Sequence, residues 1–290
     1  MSSVKTTNIN SEKNRIEPGV LYLVATPIGN LADISERAVK VLAEVDFIAA
    51  EDTRNSVYML SRLGIRKELV SYFEHNKRER GEYIVSRLLS GESCALITDA
   101  GTPAISDPGE DIVALCAEKD IKVTSIPGAC AAICALTLSA LPTGRFVFEG
   151  FISTAKNDRK KRLEALASED RTIIIYEAPH KLRATLSDLL SYFGDRRITL
   201  CREMTKLNEE VRRTTIADAA AYYAENDPRG EYVLVIEGKK SSDGDAFWRD
   251  MSIREHVEYY MSQGNDKKDA IKNAAKDRGI PKNEVYKEMI

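Results

Sequence analysis

Two hydrophobic rhythms alternate along the chain. Short unbroken apolar runs, GVLYLVAT at 19–26, VDFIAAED at 45–52, ELVSYF at 68–73, SCALIT at 93–98 and KVTSIP at 122–127, have the character of strands buried on both faces. Between them, ISERAVKVLAEVDF, SVYMLSRLG, GEYIVSRLLSGE and DIVALCAEKD place apolar residues at helical spacing. ACAAICALTLSA, at 129–140, is a helix that is hydrophobic nearly all round. Strand and helix in strict alternation predict parallel βαβ units and an open α/β sheet over residues 18–128.

The rhythm changes after LPTGRFVFEGFIS. KNDRKKRLEALASE reads as a highly charged helix, RTIIIYEAPHK as a strand ending in a loop, and KLRATLSDLLSYFG as an amphipathic helix. RITLCREMT and EYVLVIEGK are further strands. Strands without a long helix between them predict a mixed sheet, and hence a second α/β domain over 129–240. KKSSDGDA, at 239–246, has linker composition.

The tail, 250–290, reads as a separate helical unit. Ser252 to Glu255 fits a capping box, and Gly264 and Gly279 close two helices. Pro281 suits the first position of a third. The arrangement resembles a helix-turn-helix, and both nucleic-acid contact and a packing appendage remain open for it. Residues 1–17 read as a polar leader without an apolar core, so no signal peptide is expected.

Composition narrows the class. At 290 residues and 43% hydrophobic the chain can bury two cores. Its net charge of −3 means that a polyanion would have to be met by local basic patches. EHNKRERGE, at 74–82, offers Lys77, Arg78 and Arg80 beside His75. No apolar run is long enough to span a bilayer, and the five cysteines form no CxxC pair. A soluble, cytoplasmic, reduced protein is expected. His75, His180 and His256 lie far apart, so no metal site is expected.

Chemistry concentrates at strand ends, where open α/β sheets bind ligands. Pro27-Ile28-Gly29-Asn30 follows the first strand. Asp99, Gly101, Thr102, Pro103, Ser106, Asp107 and Gly109 follow the fourth, and Pro127-Gly128-Ala129-Cys130-Ala131 the fifth. Such small residues let a ligand lie against backbone. There is no P-loop, no G-x-G-x-x-G and no G-x-S-x-G elbow. Glu51-Asp52-Thr53-Arg54, the run from Tyr176 to Lys181 and the run from Arg202 to Lys206 bring charges to other strand ends.

LYLVATPIGNLADISERAVKVL, AAEDTRNS, LITDAGTPAISDPG, SIPGACA and YEAPHKL, in that order, closely resemble the bacterial ribosomal RNA small-subunit methyltransferase I family of the tetrapyrrole-methylase superfamily. The resemblance runs from about residue 19 to 240. It implies a two-domain tetrapyrrole-methylase-like α/β fold: an open, mostly parallel sheet domain, a mixed-sheet domain and a small C-terminal helical tail. It implies 2′-O-methylation, from S-adenosylmethionine, of a decoding-centre cytidine in the 16S rRNA of the small ribosomal subunit, by a homodimer. The cofactor contacts carried over are Pro27, Ile28, Gly29, Ala100, Gly101, Thr102, Ile105, Cys130, Ala131, Glu177 and Met204. For catalysis, Asp52 or Glu177 would orient or deprotonate the hydroxyl, and Arg54 or Lys181 would hold a phosphate; Glu51, His180 and Arg202 are further candidates. Two alternatives stand beside this reading: a methylase of a tetrapyrrole or diphthine-type substrate, and a non-catalytic ribosome-assembly factor that binds RNA.

Overall fold

The structure is a computed structural model and describes residues 15–240, 248 and 250–289. Most of the predicted leader and of the 239–246 linker lies outside the described residues. Two compact units are present, one ending at Gly238 and one beginning at Lys239.

The larger unit holds two five-stranded sheets. The first comprises β1 (Leu21–Val24), β2 (Phe47–Ala50), β3 (Glu68–Ser71), β4 (Cys94–Ile97) and β5 (Val123–Ile126), in the order β3-β2-β4-β1-β5. All its pairings are parallel. Successive residues alternate between two cores: Tyr22, Ile48 and Ala95 face one, Leu21, Phe47 and Cys94 the other. This period of two, with both faces covered, is why the strands read as unbroken apolar runs. Helices α1 (Glu36–Glu44), α2 (Thr53–Arg62), α3 (Lys77–Leu89) and α4 (Gly109–Glu118) connect them. Ser35 caps α1 through its side chain, accepting from the Ala38 amide at 3.2 Å.

The second sheet is mixed, as expected. β6 (Phe146–Phe151) pairs in parallel with β7 (Thr172–Glu177). Antiparallel pairs then join β7 to β10 (Tyr232–Ile236), β10 to β8 (Arg197–Arg202), and β8 to β9 (Glu210–Thr215). One face packs on α6 (Lys156–Ala167), α7 (Pro179–Phe193) and α8 (Ile216–Glu225). The other is covered by α5 (Ala131–Leu138), whose Ala132, Ala135 and Leu136 meet Ile174, Val233 and Val235. An all-round apolar helix suits that place, between a sheet and its surroundings.

Several sequence expectations need correction. β9 and α8 carry no expectation above; EVRRTT is charged or polar at five of its six positions, as an edge strand can be, and so forms no apolar run. The segment after β7 is not a loop. Proline at the first helical position starts α7 directly at Pro179. Likewise α3 begins at Lys77, so the basic stretch is the first turn of a helix. Pro281 caps its helix and does not open it.

The smaller unit packs α9 (Ile253–Ser262), α10 (Lys267–Arg278) and α11 (Lys282–Glu288) around Val257, Ile271, Ala274 and Val285. The capping box at Ser252 and Glu255 forms in both directions, and Gly279 ends α10 in a left-handed conformation. Buried His256 accepts from Arg278 Nε at 3.1 Å, and Arg278 also donates to the carbonyl of Met251 at 2.6 Å.

Ile48, at the centre of β2, is fully buried between packed layers. Ile48→Ala should therefore cost about 2–5 kcal/mol, read as a lowered urea midpoint with an unchanged slope.

Candidate functional site

In the first sheet the chain leaves β1 toward β2 but leaves β4 toward β5, on the other side of β1. The two connections cross along the sheet but leave on opposite faces, α1 packing in one core and α4 in the other, which opens a crevice above the carboxyl ends of those strands. The three small-residue loops meet there, and hydrogen bonds brace them. Thr26 and Gly101 form an isolated two-residue bridge, each amide donating to the other's carbonyl at 2.9 and 3.1 Å. Thr26 Oγ1 donates to the Thr98 carbonyl at 3.1 Å. Thr102 Oγ1 donates to the Ala129 carbonyl at 3.0 Å, tying the second loop to the third. Gly128 lies so close to the first loop that a Cβ there would stand 2.8 Å from Ala25 Cβ.

The middle loop is folded back on itself. Asp107 accepts from the amides of Ala104, Ile105 and Gly109 at 3.0, 3.2 and 2.7 Å. That anchor holds Ala104 and Ser106 at φ of 66° and 64°. Glu203 and Thr205, in the turn after β8, adopt φ of 50° and 65°. Left-handed backbone costs non-glycine residues about 1–2 kcal/mol each, so these loops are held by their surroundings. Ser106 also presses on the bulged strand β6: a Cβ at Gly150 would come 2.6 Å from Ser106 Oγ.

The loops and the second sheet enclose a cavity of about 370 Å³. Of the expected cofactor residues, Ile28, Ala100, Gly101, Thr102, Ile105, Cys130, Ala131, Glu177 and Met204 line it, while Pro27 and Gly29 flank Ile28 outside the lining. Of the expected catalytic residues Glu177 lines it, and so does the further candidate Glu51. Asp52, Arg54 and Lys181 do not, and nor do His180 and Arg202; Asp99 does.

The carboxylates differ in what surrounds them. Asp52 caps α2, accepting from the Arg54 amide at 2.8 Å, and pairs with the Arg54 guanidinium at 2.8 Å. Those bonds hold its carboxyl down at about 2. Glu177 is 3% exposed. Its Oε1 accepts from the Ala178 amide at 2.9 Å and its Oε2 from Thr185 Oγ1 at 2.5 Å. Thr185 in turn accepts from Arg159, which pairs with Asp188 at 2.7 Å. This carboxylate locks β7 to α7. Asp99 faces Glu51 across the cavity wall. Partial burial, then the Glu51 charge, push its carboxyl up; the Asn55 amide, at 3.3 Å, opposes them. Glu51 accepts from Thr98 Oγ1 at 2.7 Å.

Glu231, Tyr232, Val233 and Phe151 line the cavity and escaped the sequence reading, whereas Tyr176, Glu203 and Lys206 lie in its charged strand ends. Tyr232 and Val233 open β10, with Glu231 just before it, and the strand runs antiparallel to β7 and β8. The start of β10 therefore lies at the end where its neighbours finish, and a search of strand ends cannot find it. Lys206 pairs with Glu203 at 2.9 Å and Glu231 at 3.3 Å across the same wall. Phe151 is half exposed at the cavity and stands edge-on to Tyr176, 5.6 Å between centroids. Tyr176 accepts from the Ala132 amide at 3.1 Å, which fixes the start of α5, and burial pushes its hydroxyl up to about 12.

The family description of tetrapyrrole (corrin/porphyrin) methylases matches residues 20–220. Curated proteins called ribosomal RNA small subunit methyltransferase I are similar over nearly their whole length. The one from Synechocystis is 46% identical, covering 92% of this chain and 96% of its own. The Bacillus subtilis protein is 46% identical over 95% and 96%. Among solved structures, diphthine synthase superposes with a TM-score of 0.59 at 17% identity, over 76% of this chain and 90% of that one. A uroporphyrin-III C-methyltransferase from Thermus thermophilus, in complex with S-adenosylhomocysteine, gives 0.55 at 17%, over 75% and 96%.

Two measurements check this geometry. Gly128→Ala should lower stability by about 1–3 kcal/mol, because Ala25 Cβ is backbone-fixed and the loops must part. A raised carboxyl penalises folding once it ionises: the penalty is absent below the ordinary value of 3.8 and grows as pH rises through the folded value. Asp99→Asn should therefore match wild type in melting temperature in acid and exceed it at neutral pH.

Proposed function

The chain belongs to the tetrapyrrole methylase family, and from that premise we propose that it transfers a methyl group from S-adenosylmethionine to the ribose 2′-oxygen of a cytidine, position 1402, in the 16S rRNA of the small ribosomal subunit. The observation that carries this reading is the identity of 46% with curated rRNA methyltransferases over more than nine-tenths of both chains. The similar folds of diphthine synthase and uroporphyrin-III C-methyltransferase, at 17% identity, speak for the scaffold and not for their substrates.

The cleft fits the methyl donor. A cavity of about 370 Å³ is of the size that takes such a molecule. Ala100, Gly101, Cys130 and Ala131 leave backbone accessible, Ile28, Ile105 and Met204 supply apolar walls, and Glu51 and Asp99 place negative charge where a cationic ligand would be favoured. When bound, S-adenosylmethionine supplies a methyl on a sulfonium, whose S–C bond breaks as the ribose O–C bond forms, the bond pair remaining on sulfur.

The braced loops work by positioning, since an aligned pair of reactants needs little further help. The hydroxyl proton needs an acceptor. Asp52 is a poor one, because Arg54 lowers its basicity, and Glu177 is 3% exposed with its oxygens held at 2.9 and 2.5 Å, whereas the two bonds to Asp99 are 3.3 Å long. Asp99 keeps greater basicity, lines the cavity, and is steadied by Asn55. We assign it the proton, with Glu51 sustaining its charge repulsion. The reading includes a homodimer acting in the cytoplasm; among the described residues, no helix is long and apolar enough to cross a membrane.

Small subunits from cells lacking this protein, incubated with labelled S-adenosylmethionine and analysed by mass spectrometry, should yield 2′-O-methylcytidine. Label on a base, or none, would refute the reading. In the same assay Asp99→Asn should lose about 10²-fold or more of the transfer rate while Asp52→Asn keeps most of it.

A further inference from the structure

Helix α2 starts at the cavity wall. The Asp52 amide donates to Asp99 Oδ1 and the Asn55 side chain to Asp99 Oδ2, both at 3.3 Å, so the first turn of α2 is fixed to the cleft. From there the helix leads outward, and its exposed face is unusual. Arg54, Tyr58 and Arg62 are spaced by four residues each, which puts them on one stripe about 12 Å long. All three are exposed; Tyr58 is 66% exposed and its neighbour Val57 56%. Arg62 donates to the Tyr58 hydroxyl at 3.2 Å and sets its guanidinium 6.0 Å from the ring centroid, which holds the ring in place.

Charge sets this face against the net acidity of the chain. Residues 53–67 contain Arg54, Arg62, Arg66 and Lys67 and no acidic residue, in a protein whose net charge is −3. Arg54 pairs with Asp52, whereas Arg62, Arg66 and Lys67 form no ion pair with a described residue. The stretch singled out from sequence behaves differently. Its three cations are matched by Glu74, Glu79 and Glu82, and Lys77 is bound by Glu74 and Asp111, both at 2.9 Å. At the far end of α2 a hollow of about 480 Å³ is lined by Val57, Leu60, Ser61, Gly64, Arg66 and Lys67. Cations at intervals with an exposed aromatic between them are the chemistry of single-stranded nucleic acid binding: phosphates meet the cations and a base stacks on the ring.

We propose that the exposed face of α2, from Arg54 through Tyr58 and Arg62 to the hollow at Arg66 and Lys67, is the track along which single-stranded RNA flanking the reacting nucleotide docks. The proposal rests on the rRNA reading for its substrate, and it adds where that RNA lies. Tyr58 and Arg62 hold the strand without entering the cavity, so they act on acceptor binding and not on the chemical step.

The test uses the full chain carrying Tyr58→Ala, Arg62→Glu or Arg62→Lys. Fluorescence anisotropy with a short labelled single-stranded oligoribonucleotide, over a range of salt, reads docking without turnover. Tyr58→Ala and Arg62→Glu should each bind about tenfold more weakly, and Arg62→Glu should flatten the salt dependence by about 0.7 in slope, as the loss of one phosphate contact requires. Arg62→Lys should retain most of the affinity. With small subunits, KM should rise while kcat and S-adenosylhomocysteine affinity stay at wild-type values. Unchanged oligonucleotide binding in both disruptive variants would overturn the proposal. So would a change of oligomeric state in sedimentation, which would make this face an interface between copies. A wild-type protein that binds the oligonucleotide but methylates no small subunit would refute the rRNA reading separately.

Discussion

The site depends on the pairing of Thr26 with Gly101. Two backbone hydrogen bonds between residues 75 apart in sequence close the gap between β1 and β4 at the point where their connections part. A crevice at that point is imposed by topology; what the bridge adds is rigidity. With the Thr102 hydroxyl on the Ala129 carbonyl, the loops after β1, β4 and β5 become one surface. Loops built from Gly, Ala, Thr and Pro would otherwise lose much entropy on meeting a ligand. Here that loss is met during folding, and the left-handed Ala104 and Ser106 show how firmly the surface is held.

On this rigid surface, environment separates carboxylates of similar intrinsic acidity. Asp52 spends its charge on a helix cap and a guanidinium. Glu177 spends its own on the junction of β7 and α7, through Thr185, Arg159 and Asp188. Asp99, partly buried and facing Glu51, is the one raised in basicity. The same residue fixes the start of α2, so the cavity and the cationic face of that helix share an anchor.

Much of this was legible beforehand. Buried parallel strands show as unbroken apolar runs, and the first sheet and its three loops follow from that pattern. The second sheet was less legible, for physical reasons. Edge strand β9, with Arg212 and Arg213 in its middle, has no apolar signature, and β10 reaches the cavity with its first residues because it runs antiparallel. The cofactor wall was read better than the chemistry. Small residues at strand ends announce a cavity, but whether a carboxylate is free or engaged depends on how other groups fold onto it: Arg54 lies two residues from Asp52 and Thr185 eight from Glu177, while Asp99 meets Glu51 across 48 positions. Lys77, part of the basic patch in the sequence, is bound by Glu74 three residues away and by Asp111 from α4.

The most direct test is a crystal structure of the full chain with S-adenosylhomocysteine. The ligand should lie in the cavity between the three loops and Met204, with the Thr26–Gly101 and Thr102–Ala129 hydrogen bonds intact and Asp99 beside the position the transferred methyl would occupy. A ligand bound elsewhere, or one that breaks the Thr26–Gly101 pair to enter, would contradict the account of a preformed cleft.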